Sequence, residues 1–172
     1  MQRPSSQEYA SFYANYVNLA ASSNSTDVLL CDRQLIESFF AHTDEAQGNK
    51  SYAAGKWTVK EVILHCMDSE RIFAYRALRS LRGDLTPLPG YDQDPYVPAS
   101  AAGGRSLANL EEEWRGIRAA TLSLYAHAPA TYLTAIGVAS GYPVSARALA
   151  YIIPGHYLHH LQVLRECYHL DF

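Results

Sequence analysis

Residues 58–82 read TVKEVILHCMDSERIFAYRALRSLR, and the fold turns on how this stretch is read. Thr58 followed by Glu61 is the T-x-x-E capping pattern: the hydroxyl accepts from one backbone amide of the first turn, and the carboxylate accepts from another. A helix is therefore predicted to begin at Thr58 and to run to about Arg82. It is apolar over much of its circumference, as a helix surrounded by others must be.

On the N-terminal side, Tyr9, Phe12, Tyr13, Tyr16, Val17 and Ala20 recur at helical spacing and predict a short amphipathic helix. The turn-like segment Ser22 to Asp27 follows, with Asp27 as N-cap of a second helix to about Ala46; Val28, Leu35, Ile36, Phe39 and Phe40 form its inner face. On the C-terminal side, Gly83 to Arg105 is rich in proline and glycine and has no helical period, which marks a lid, a binding loop or a linker. Ser106 caps a further helix with the stripe Leu107, Leu110, Trp114, Ile117, Thr121 and Tyr125. His127 to Val144 is irregular, with a short strand possible within 133–138 and a turn at Ser140-Gly141. A last helix runs from near Ser145 to about Cys167, and Pro154 is expected to kink or restart it. The sum is an all-α fold: an antiparallel four-helix bundle with an extra short N-terminal helix and long crossover loops.

The 172 residues suit one domain spanning the whole chain. A hydrophobic fraction of 48% is enough for a sizeable core, and charged residues make up 18%. With a net charge of −3 there is no electrostatic case for nucleic acid or an anionic membrane as partner. No apolar run reaches the length of a membrane span, and MQRPSSQEYA lacks an apolar signal core. Cys31, Cys66 and Cys167 are odd in number and widely spaced, which fits free thiols and a cytoplasmic setting.

Chemistry concentrates in histidine. His156 and His160 are four positions apart, so on a helix they stack on one face. That face is the apolar stripe of Leu149, Ile152, Ile153, Val163, Leu164 and Cys167, where two imidazoles are costly unless their ring nitrogens are satisfied. Hydrogen bonds to tyrosines could do so, and so could a metal ion. His65, on the central helix, would complete a three-nitrogen site with positions left for water or substrate, the pattern of a catalytic metal. His159 lies roughly 60° to the other side of the stripe and is a poorer ligand candidate. Cys66 points about 100° from His65, and Cys167 lies roughly 10 Å beyond His160 along the axis, so neither suits a fourth position. Asp68 shares a face with His65 and could orient its ring. Glu70 points inward; a structural ion pair with Arg71, Arg76 or Arg118 is favoured over a role as general base. Asp84, Asp92 and Asp94, beside Tyr91 and Tyr96, either close over the site or merely cap a solvated loop. Glu111 to Glu113 reads as a solvated helix face.

The blocks GKWTVKEVILH ending at His65, DSERIFAYRALR, RGDLTPLPGYDQD and GHYLHHLQVLRE, in this order, resemble the DinB-like superfamily, which includes the YfiT-like metal-dependent hydrolases. The resemblance covers most of the chain. It implies a four-helix bundle of DinB/YfiT type, with a divalent metal, nickel or zinc, held by His65, His156 and His160. It also implies a homodimer and a small-molecule substrate. Hydrolysis by metal-activated water is the first expectation for function. Thiol S-transfer or isomerisation with a low-molecular-weight thiol, and a non-catalytic metal-binding stress-response role, are the alternatives.

Overall fold

A computed structural model describes residues 1–22 and 27–172. Its helices are α1 (Ala14–Ala21), α2 (Arg33–His42), α3 (Glu45–Gly48), α4 (Val59–Leu81), α5 (Tyr96–Ala99), α6 (Leu107–Ala126), α7 (Ala130–Leu133) and α8 (Ala146–Glu166). Single 3-10 turns stand at Ser11–Tyr13, Val28–Leu30 and Ala102–Gly104. Two short strands, β1 (Ile136–Ala139) and β2 (Tyr142–Ser145), pair antiparallel.

The long helices begin where side chains can take up their free amides. Thr58 accepts from the Glu61 amide while Glu61 Oε2 accepts from the Thr58 amide at 2.6 Å, so both halves of the predicted box are present. Ser106 caps α6 through the Asn109 amide, and Ser145 caps α8 through the Ala148 amide. The second helix differs from expectation at both ends. Asp27 caps the 3-10 turn through the Leu29 amide, and α2 starts only at Arg33. At its far end, Asp44 and Gln47 form a capping box of their own and open the one-turn α3. Most of the predicted Ser22 to Asp27 turn lies outside the described residues.

Two further expectations are corrected. The all-α assignment is not exact, because Ile136–Ala139 and Tyr142–Ser145 make a hairpin around Ser140 (φ 55°) and Gly141 (φ 81°). Two successive residues at positive φ match the right-handed twist of a tight hairpin, so the Ser-Gly pair selects this turn. The segment Gly83–Arg105 is not structureless either. It carries α5 and a 3-10 turn, and Leu88 bridges the hairpin, donating to Val138 O (2.9 Å) and accepting from the Ser140 amide (3.0 Å). Pro154 does not restart the last helix; α8 is continuous across it. A mid-helix proline costs about 3 kcal/mol, here offset by the burial of Ile152, Ile153, His156 and Tyr157 around it.

The bundle consists of α2, α4, α6 and α8, with α1 packed along α8. Contacts fix the directions. Gly48 lies against both Lys60 and Leu107, and Glu45 bonds both residues, so α4 and α6 begin at the same end. Glu70 of α4 meets Arg118 of α6 further along, so these two helices run parallel. Tyr168 donates to Trp57 O at one end and Tyr125 to Ala146 O at the other, so α8 runs against both. Strict antiparallel alternation is therefore not kept. The long Gly83–Arg105 connection carries the chain back to the end where α4 began.

The core lies in two clusters along α8. One joins Val17, Leu29, Phe73, Leu81, Leu149 and Ile152; the other joins Phe39, Ile63, Met67, Leu110, Trp114 and Leu161. Ahead of α1, Glu8 is buried and accepts from Ser145 Oγ (2.8 Å) and Arg147 Nε (3.0 Å), pinning the N-terminal segment to the start of α8. Among the described residues, no helix is long and apolar enough to cross a membrane.

Candidate metal centre

His65 lies on the second turn of α4, and His156 and His160 lie a turn apart in the middle of α8, where those two helices pack together. Their rings converge. His156 Nε2 is 3.2 Å from His65 Nε2 and 3.1 Å from His160 Nε2, and one nitrogen from each of the three lies within 4.8 Å of the others. No other such group of histidine, cysteine or acidic side chains occurs among the described residues.

A cation fits this arrangement on two grounds. Three imidazoles at about 2.0–2.1 Å from a tetrahedral ion stand a little over 3 Å apart, close to the 3.2 and 3.1 Å that separate His156 from its two neighbours. Moreover, His156 Nε2 bears either one proton or one lone pair, so it cannot make a good hydrogen bond to both neighbours. An ion shared among three lone pairs would satisfy all of them. Charge favours it as well. Burial pushes His65 down to about 4, against a pull upward from Asp94. Burial, with His65 and His159 nearby, takes His160 to about 3, and the more deeply buried His156 is pushed well down for the same reasons. All three are neutral at pH 7, the form that ligates.

The three rings line a cavity of about 420 Å³, a normal size for a small-molecule site. Aromatic side chains wall it. Trp57 lies 5.0 Å from the His65 ring, Tyr16 lies 5.2 Å from His156 and 5.5 Å from His159, and Phe73 lies 6.0 Å from His156. Tyr91 and Gln93 reach it from the Gly83–Arg105 segment, with the Tyr91 hydroxyl 3.0 Å from Ser69 Oγ. Arg76 lines it as well and donates to Pro89 O and Ser140 Oγ.

Comparison with known proteins bears on the family and the fold. The sequence model of the DinB superfamily matches residues 31–164. The chain belongs to the DinB superfamily. Among solved structures, it is similar to YfiT from Bacillus subtilis, described as a probable metal-dependent hydrolase with an unusual four-helix bundle topology. The TM-score is 0.67 at 17% identity, over 85% of this chain and 89% of that one. At that identity the likeness concerns the fold. A comparison with curated proteins gives no significant match.

Of the other residues that the sequence of this DinB protein singles out, most are engaged elsewhere. Asp68 accepts from Arg71 at 3.1 Å. Glu70 takes the structural role: Arg118 donates to it at 2.9 and 3.1 Å and to Asp32 at 2.6 and 2.9 Å, a buried knot joining α4, α6 and the approach to α2. Asp84 pairs with Arg79, and Asp92 accepts from the Asp94 amide within its own turn. Cys66 is sealed in the second core cluster, where burial pushes its thiol up, and Cys167 is exposed. His159 lines the cavity outside the group of three.

Sequence reasoning missed Arg76, Trp57, Tyr16 and Ser140 as cavity residues. Arg76 carried a usable signal. It stands eleven positions after His65, close to three full turns, and so shares its helix face.

Proposed function

We propose that this protein is a metal-dependent hydrolase in which His65, His156 and His160 hold one divalent ion, nickel or zinc, and water cleaves a small molecule bound in the adjoining cavity. One observation carries this reading: three neutral imidazole nitrogens lie within 4.8 Å of one another on the wall of a cavity of ligand size. A divalent cation bound there supplies Lewis acidity, lowering the pKa of water and polarising a carbonyl or phosphoryl oxygen.

The chain's own residues supply positioning and shelter. His65 comes from α4 and the pair from α8, so the packing of two long helices sets the ligand geometry. Tyr13, Tyr16, Trp57 and Phe73 keep bulk water away from one side, and Tyr91 with Gln93 from the crossover segment covers another. Burial raises the Tyr13, Tyr16 and Tyr91 hydroxyls above their ordinary value, so all three are uncharged at neutral pH; Tyr13 accepts a hydrogen bond from Arg76, and the Tyr91 hydroxyl pairs with Ser69. A cavity of ligand size beside the three histidines supports turnover over simple metal storage. A homodimer is the working form that the family resemblance favours, in the cytoplasmic setting that the odd, widely spaced cysteines suit.

Elemental analysis together with a panel of simple esters and amides tests the proposal. One ion per chain and turnover that rises with pH through about 7 are expected. Turnover only with an added low-molecular-weight thiol would replace water by thiol as nucleophile. Full metal occupancy with silence in both assays would leave a metal-binding protein without catalysis.

A further inference from the structure

Arg76 and Arg118 are equally hidden, at 6% and 4% exposure, yet they are provisioned in opposite ways. Arg118 has two carboxylates, Asp32 and Glu70. Arg76 has none within ion-pair distance among the described residues. Its Nη2 donates to a main-chain oxygen, Pro89 O at 3.2 Å, and to a hydroxyl, Ser140 Oγ at 3.0 Å. The Phe73 and Tyr91 rings lie 6.0 Å from its Cζ. Burying a guanidinium among neutral groups is costly unless an opposite charge arrives. The Tyr13 hydroxyl accepts from it as well, and a guanidinium's five N–H donors exceed what these neutral partners take up.

The cavity shows where that charge would come from. Among the described residues no aspartate or glutamate lines it, and Arg76 is its one permanently charged side chain. Arg76 also shares the His65 face of α4. Phe73 stands between the two ends, its ring 6.0 Å from the His156 ring and 6.0 Å from Arg76 Cζ. A small molecule lying along the Phe73 ring could therefore meet Arg76 at one end and the histidines at the other.

We propose that Arg76 is the anion-recognition end of this cavity and that the substrate is a small molecule bearing a carboxylate or phosphate group, held by the guanidinium while the rest of it lies toward the three histidines. The proposal rests on the metal-hydrolase reading for the reacting end only; the anion site itself stands without it. Carboxylate and phosphate share the planar, two-point geometry that a guanidinium fork matches. Arg76 here binds and positions; it takes no part in bond cleavage.

Calorimetric titration with benzoate, phenyl phosphate and benzamide tests this on purified protein of measured metal content, beside R76Q, R76K and H160A. At least one of the two anions should bind the parent protein, and the neutral amide should bind far more weakly. R76Q should lose about 10- to 100-fold in anion affinity, as loss of a charged hydrogen bond implies, with metal content unchanged. R76K, which keeps the charge, should retain part of the binding, and H160A should retain most of it. The preferred anion identifies the ligand class. Undiminished binding by R76Q, equal binding of benzamide, failure of both anions to bind the parent, or loss in H160A but not in R76Q would each overturn the proposal. The last of these would move the anion onto the metal and leave the hydrolase reading intact. Arg76-dependent binding in a protein that takes up no metal would sink the hydrolase reading alone. Should R76Q fail to fold, a crystal structure with benzoate decides: a carboxylate on the guanidinium supports the assignment, and one elsewhere refutes it.

Discussion

Gly155 lies so close to Tyr16 that a Cβ on the glycine would stand 2.0 Å from the Tyr16 carbonyl oxygen and 2.5 Å from its carbon. Here α1 meets α8 backbone to backbone, one residue before His156. The close approach brings the Tyr16 ring over both His156 and His159. A methyl group at position 155 cannot be accommodated by a rotamer change, because what it strikes is main chain.

Gly155→Ala should therefore push α1 off α8. Overpacking of this kind costs about 1–3 kcal/mol, or roughly 2–12 °C in Tm for a chain of this length. Because His156 is adjacent and Tyr16 walls the cavity, metal affinity should fall as well. Thermal denaturation and a metal titration of the variant check both effects; an unchanged Tm would show that the helices have room to separate freely.

Single alanine substitutions at His65, His156 and His160 should each weaken metal binding beyond the about 10- to 100-fold typical of losing a supporting partner. His159→Ala should have a much smaller effect. Added zinc or nickel should raise the Tm of the parent protein and of H159A but not of H156A, since a ligand that binds only the folded state stabilises it. Equal losses at positions 159 and 160 would mean that the other face of α8 holds the ion.

Arg118→Met leaves Asp32 and Glu70 as buried carboxylates without a counter-charge, and should cost about 3–5 kcal/mol. Glu70→Gln keeps the Arg118–Asp32 pair, so it should destabilise less and leave metal affinity unaltered. Chemical denaturation and metal titration of both variants test this. A Glu70→Gln variant of normal stability but no catalytic activity would restore the general-base role that the ion pairing argues against.

Glu8 makes stability depend on pH. Burial would raise its carboxyl, but hydrogen bonds from Arg147, Ser5 and Ser145 outweigh this and bring it down from 4.5 to about 2. A depressed carboxylate adds stability that is fully present above its unfolded value and is lost as protons bind the folded form. The Tm difference between the parent protein and Glu8→Gln should thus be constant above about pH 5 and shrink as pH falls from about 4.5 toward 2. A difference that grew with acidity would contradict the assignment.

What could be read from sequence was local. Thr58 and Glu61 are three positions apart, Ser140 and Gly141 adjacent, and His156 and His160 one turn apart, so backbone geometry alone relates them. His65 was offered as their third partner from its residue type and its place on a central helix, and the family resemblance implied the same set. The bond from Arg76 to Ser140 joins residues 64 apart, and the contact of Gly155 with Tyr16 joins two helices from opposite ends of the chain. No periodicity encodes such meetings. The parallel course of α4 and α6 was hidden for the same reason, because a long connection is compatible with either direction. Of the two outcomes expected of Pro154, a kink or a restart, the restart does not occur, because the packing of its neighbours holds α8 continuous.

The spacing of the three histidines also makes any ion they share a cross-link. His156 and His160 need only one turn of α8 to chelate it, whereas His65 is 91 positions away. Closing a loop of that length costs a flexible chain roughly 4 kcal/mol of entropy. An unfolded chain could thus keep two of the three bonds while giving up the third. Chelators should then accelerate the parting of α4 from α8 far more than the melting of α8 itself, and hydrogen exchange along the two helices would register the difference.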